Sequence, residues 1–133
     1  MFSQRSDGKA RSMSYTPTIF IVDDDNTVQT SLKSMFQTAG YDVEAYTSCR
    51  GFTENFRDRE RACLILDLNL QDMGAWQPTA FLKERGADIP VVLTTRPGDP
   101  TIQSQLSGCG TLALLEKPLD HGLMLKTINA ILR

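Results

Sequence analysis

No run of apolar residues in this chain approaches the ~18 that a membrane span needs, so no membrane segment is expected. The first 16 residues, Met1 to Thr16, lack the apolar stretch of a signal peptide and read as a polar, disordered leader. Basic charge is not in excess: 14 Lys and Arg stand against 16 Asp and Glu, for a net charge of −2. That balance gives no electrostatic reason to expect direct nucleic-acid binding by this segment. Cysteine is scarce, and Cys49, Cys63 and Cys109 are odd in number and show no metal-ligand spacing. Cys63 lies inside an apolar run and reads as a small core residue. A reducing cytoplasm is the simplest setting. Internal repeats, low-complexity tracts and interdomain linkers are absent too. Trp76 and the lone His121 read as structural or solvent-facing.

What is present is an ordinary globular composition, 41% hydrophobic and 23% charged over 133 residues. That length serves one domain with one core, expected over residues 17–133. Past Pro17 the apolar pattern alternates between two periods. Residues 18–22 read as a strand. Val28, Leu32, Met35, Phe36 and Ala39 recur at helical spacing, with Gly40 placed to end that helix. Either Asp25 or Asn26 serves as its N-cap. Val43 to Tyr46 is a short second strand. A weaker second helix follows over about 48–57, with Gly51 counting against it. Ala62 to Leu66 is the third strand, and a helix from Trp76 or Gln77 to Arg85 ends at Gly86. Pro90 to Thr94 is the fourth strand. A fourth helix opens at Pro100, Leu112 to Glu116 is the fifth strand, and Leu123, Leu125, Ile128, Ile131 and Leu132 mark a last helix.

Strands alternating with helices predict an α/β, flavodoxin-like, doubly wound sheet of five parallel strands with helices on both faces. Parallel strands end on one edge, so their last residues converge. The first strand runs into Asp23-Asp24-Asp25, the third into Asp67, the fourth into Thr95 and the fifth into Lys117-Pro118. The second ends on Thr47 and Ser48, ordinary helix-cap types. That places it at the edge, in the order 2-1-3-4-5.

The convergent set has a definite chemistry. Adjacent carboxylates at Asp23 and Asp24 repel unless a cation relieves them. Mg²⁺ takes oxygen ligands and keeps several waters, so two or three carboxylates suffice. Beside such an ion Asp67 becomes a candidate nucleophile able to accept a phosphoryl group. Thr95 and Lys117 would supply a hydroxyl and an ammonium to its oxygens. Each residue alone has a plainer reading, as a cap, turn former, loop hydroxyl or solvated lysine.

These residues bring the chain to a known family. It resembles the receiver (phosphoacceptor) domain of two-component response regulators, most closely the nitrogen-fixation transcription regulator type. The resemblance rests on Ile21-Val22-Asp23-Asp24-Asp25, Leu66-Asp67-Leu68-Asn69-Leu70, Ile89 to Thr95 and Leu115-Glu116-Lys117-Pro118. It implies Asp67 as phosphoacceptor and Asp23 and Asp24 as the acidic pair serving Mg²⁺. It also implies Asn69 as a backbone-carbonyl metal ligand, Thr95 as the switch hydroxyl and Lys117 as the pairing lysine, with a cis Lys117-Pro118 bond. The implied partner is a histidine kinase or histidine phosphotransfer protein, with a homodimer through the face of the fourth helix, fifth strand and last helix. The implied role is signalling, with self-phosphorylation and autodephosphorylation as the domain's only chemistry.

Four residues depart from the family pattern. Gln71 replaces a proline, Ala75 a glycine, Arg96 a small residue, and Leu114 the aromatic of the switch. The departures at Gln71, Arg96 and Leu114 motivate an alternative, a receiver-like binding module that is never phosphorylated. A further rival is a haloacid dehalogenase-type phosphohydrolase, since Asp23-Asp24-Asp25-Asn26-Thr27 matches D-x-D-x-T. There Asp23 would be the nucleophile and Asp25 the acid/base. That family needs a further acid-ending strand after its lysine, and the residues after Lys117 read as a helix.

Overall fold

A computed structural model describes residues 16–70, 76–97 and 111–132. Five strands, β1 (Thr18–Val22), β2 (Asp42–Tyr46), β3 (Ala62–Asp67), β4 (Val91–Thr95) and β5 (Thr111–Glu116), form one sheet. Every pairing is parallel and the order is β2-β1-β3-β4-β5, the predicted topology. The described helices are α1 (Asn26–Thr38), α2 (Cys49–Asn55), α3 (Trp76–Glu84) and α4 (His121–Leu132). The helix expected after Pro100 lies outside the described residues, as do Gln71, Ala75 and Cys109. So does the fourth-helix part of the face assigned to a homodimer.

Side chains alternate across each central strand, and the core divides accordingly. Phe20, Val22, Leu64, Leu66, Val91 and Leu93 face one cluster, with Cys49 and Phe52 of α2 and Leu82 of α3. Ile19, Ile21, Cys63, Ile65 and Val92 face the other, with Leu32 and Phe36 of α1 and Met124, Ile128 and Leu132 of α4. Burial on both faces explains why β1, β3 and β4 are continuous apolar runs rather than alternating ones. Cys63 is a core residue, and burial pushes its thiol pKa up to about 12.

Local signals set the helix ends. Asp25, not Asn26, caps α1: its Oδ1 accepts from the Thr27 N–H at 2.9 Å and the Val28 N–H at 3.3 Å. Gly40 follows the helix at φ 98°, a conformation that costs any other residue. Helix α2 is shorter than its predicted span. It starts at a Ser48 cap whose hydroxyl accepts from the Gly51 N–H, and it ends at Asn55 before Phe56 turns extended.

Candidate functional site

The registers carry the chain to the site. Thr18 to Val22 of β1 pair with Ala62 to Leu66 of β3. The next residue on each strand is an aspartate, Asp23 and Asp67. Asp67 pairs in turn with Thr94, and Thr95 with Glu116, the residue before Lys117. Residues from four segments therefore meet on the C-terminal edge because the strands run in step.

Carboxylate oxygens of Asp23, Asp24 and Asp67 lie within 4.8 Å of one another. Asp23 and Asp67 are buried, whereas Asp24 is exposed. Lys117 reaches across from β5, with Nζ 3.0 Å from Asp23 Oδ2 and 3.4 Å from Asp67 Oδ2. The other oxygens of both acids are held by backbone. Asp25 N–H donates to Asp23 Oδ1 at 2.9 Å and Asn69 N–H donates to Asp67 Oδ1 at 2.9 Å. Burial lifts the Asp23 carboxyl above its ordinary 3.8, helped by the Asp67 charge and opposed by the Asp25 N–H and Lys117. Burial acts to lower Lys117, but its hydrogen bond to Asp23 and the two carboxylate charges outweigh it, so its pKa lies above 10.5. Among the described residues the site thus sets one ammonium against three carboxyl groups. Three hard oxygen donors with excess negative charge suit a divalent cation such as Mg²⁺.

Asn69 and Thr95 sit beside this group. The Asn69 side-chain oxygen accepts from the Arg96 N–H at 3.0 Å, which ties the segment after Asp67 to the one after β4. The Thr95 side chain is buried and its hydroxyl donates to the Arg96 carbonyl at 3.3 Å. The Lys117 N–H donates to the Thr95 carbonyl at 2.8 Å, and the Lys117-Pro118 peptide is cis, as the resemblance implies. Arg96 is exposed, and Leu114 packs half-buried against the cluster of Phe20 and Leu93.

Two nearby residues escaped the sequence reading. Gln29 of α1 hydrogen-bonds the ends of β1 and β2. Thr94 is fully buried, and among the described residues its hydroxyl has no hydrogen-bond partner. An unsatisfied buried hydroxyl costs about 1–3 kcal/mol. Thr94→Val keeps the shape and removes that polar atom, so it is expected to raise stability by about 1 kcal/mol, or roughly 4 °C in Tm by thermal denaturation. An unchanged or lower Tm would show that the hydroxyl is satisfied.

The response regulator receiver domain profile matches residues 19–129. The response regulator protein TodT of Pseudomonas putida is 30% identical over 115 residues, which is 86% of this chain and 51% of TodT. The transcriptional regulatory protein FixJ of Azorhizobium caulinodans is 26% identical and covers 86% of this chain and 54% of its own length. Among solved structures, the response regulator StyR superposes with a TM-score of 0.79 at 30% identity, over 88% of this chain and 59% of that one. The chain spans about half the length of the curated relatives it matches. No described helix is long and apolar enough to cross a membrane. The dehalogenase reading falls here, since its acid/base Asp25 is instead the cap of α1 and the profile match covers the whole site. Matched nearly end to end, with the same segments gathered on one sheet edge, the chain belongs to the response regulator receiver domain family.

Proposed function

We propose that this receiver accepts a phosphoryl group on Asp67, with Mg²⁺ held by Asp23, Asp24 and Asp67, and passes the change on as a signal. The observation that carries this reading is the bridge of Lys117 Nζ between the two buried carboxylates, beside a third. Asn69 would add its backbone carbonyl to the metal's ligands. When bound, the ion supplies charge neutralisation for the transferring phosphoryl oxygens.

The chain's own residues do the rest. The Asn69 N–H fixes one oxygen of Asp67, which leaves Oδ2, the oxygen facing Lys117, as the nucleophile. Oδ2 attacks phosphorus as the bond to the donor's imidazole nitrogen breaks, and that nitrogen keeps the electron pair. Lys117 then pairs with a phosphoryl oxygen instead of the carboxylate. The Thr95 hydroxyl needs only to leave its weak bond to the Arg96 carbonyl to donate to another. Since Asn69 is tied to the Arg96 N–H, a shift of Thr95 carries both loops together. This is a local charge event biasing a neighbouring element. The donor on this reading is the phosphohistidine of a kinase or phosphotransfer protein.

Intact-mass measurement after incubation with an acyl-phosphate and Mg²⁺ tests the reading. One phosphate-sized adduct is expected on the wild type, none without Mg²⁺ and none on Asp67→Asn. An adduct on both proteins would misplace the acceptor. An adduct on neither would leave the receiver as a binding module.

A further inference from the structure

The two acids at the end of β1 are joined by one peptide group, and that group is held from behind. The side-chain amide of Gln29 donates to the Asp23 carbonyl at 2.9 Å and to the Tyr46 carbonyl at 2.5 Å. An amide has two N–H donors, and two carbonyl acceptors account for both and fix its orientation. The Tyr46 carbonyl also accepts from the Asp23 N–H at 3.0 Å. Asp23 is therefore gripped at both its backbone polar groups, by β2 and by α1.

The Asp23 carbonyl belongs to the peptide plane that leads into Asp24. Because that plane is rigid, fixing the carbonyl fixes the direction in which Asp24 departs. Among the described residues, the other hydrogen bonds of the turn fall outside this plane. The Asp25 N–H orients the Asp23 side chain, and the Asp25 carboxylate caps α1. The donor is also neutral. A lysine or arginine would provide N–H groups but would place a positive charge behind a cation site.

We propose that Gln29 is a positioning residue for the acidic pair: its amide clamps the Asp23–Asp24 peptide to the end of β2 and so pre-sets the two carboxylates for a divalent cation. This rests on the metal-binding reading above, and the experiment separates the two. Mg²⁺ affinity and thermal stability are measured in the full chain for wild type, Gln29→Met and Tyr41→Phe. Methionine keeps the unbranched shape and loses both donors. Tyr41→Phe removes the hydroxyl bond to Asn129 that ties the segment after α1 to α4, remote from the acids.

Groups that orient metal ligands typically contribute 10–100-fold in affinity. Gln29→Met is expected to raise the Mg²⁺ Kd about tenfold and to speed exchange of the Asp23 amide in the metal-free protein. Tyr41→Phe is expected to lower Tm with Kd unchanged. A Kd within about twofold of wild type in Gln29→Met, or an equal rise in Tyr41→Phe, overturns the proposal. A wild type that fails to bind Mg²⁺ at all overturns the reading beneath it and with it the clamp.

Discussion

Lys117→Met is expected to slow phosphorylation by an acyl-phosphate about 10²–10³-fold, the usual cost of removing one preorganised donor from developing charge. It is also expected to destabilise the metal-free protein by about 2 kcal/mol. The second figure follows from what the lysine leaves behind. Asp23 and Asp67 are 4% and 3% exposed at their side chains, and among the described residues the one cation between them is Lys117. Removing one partner of a buried ion pair costs about 3–5 kcal/mol. Lys117 is 20% exposed, and Asp23, already lifted by burial, takes a proton more readily than a free aspartate, so the lower value is the better expectation. Methionine retains the unbranched stem against Val28, Leu32 and Pro118, which line a cavity of about 160 Å³ beside it.

The two losses separate on adding Mg²⁺. A divalent cation among the three acids replaces the missing charge, so urea denaturation of Lys117→Met should show a larger Mg²⁺-induced gain than wild type. The rate should not recover, because the ion cannot take over the hydrogen bond that the ammonium gives a phosphoryl oxygen. Wild-type phosphorylation kinetics in the variant would remove Lys117 from the mechanism. Kinetic loss with no change in metal-free stability would mean that the acids do not need it.

How far the site could be read in advance depended on the distance over which each signal acts. Asp23, Asp67, Thr95 and Lys117 stand at the ends of apolar runs, and a parallel sheet converts that local fact into a shared edge. The same logic put β2 at the margin, because Thr47 carries nothing for a crevice, and the observed order agrees. Asp25 and Asn26 were equally good caps on paper; backbone geometry chose Asp25, at φ −90° and ψ 110°. Gln29 and Thr94 were not legible. Gln29 looks like any polar residue on a half-exposed helix, and its partners lie 6 and 17 positions away. Thr94 looks like one more β-branched strand residue, and its unpartnered hydroxyl exists only once the sheet buries it. Helix α2 shows the same limit: Gly51 lowers its intrinsic propensity, while the force holding the helix comes from elsewhere.

That force predicts the largest stability effect in the fold. Phe52→Ala is expected to cost about 4 kcal/mol, within the ~3–5 usual for a buried phenylalanine. Phe52 is fully buried, with ring centroids 5.6 Å from Phe20, 5.9 Å from Tyr46, 5.5 Å from Phe56 and 6.3 Å from Phe81. The rings meet edge-on or tilted, the arrangement that adds to area burial. These partners come from β1, β2, the segment after α2, and α3, so one side chain joins four parts of the chain. The helix that carries it has only seven residues, too few to be stable alone. With its anchor gone, α2 should lose order along with the aromatic cluster rather than close around the gap. A domain of this size has about 5–15 kcal/mol in hand, so the variant should remain folded at low temperature with a Tm lower by about 15 °C. Amide exchange should locate the damage: strong loss of protection over residues 49–55, with β1 and β3 retained through the opposite core of Ile19, Ile21, Cys63 and Ile65. Because Asp23, Asp24 and Asp67 hang from those strand ends, Mg²⁺ affinity should fall far less than stability. A proportionate fall in both would show that the aromatic face, and not the sheet register alone, sets the geometry of the acidic edge.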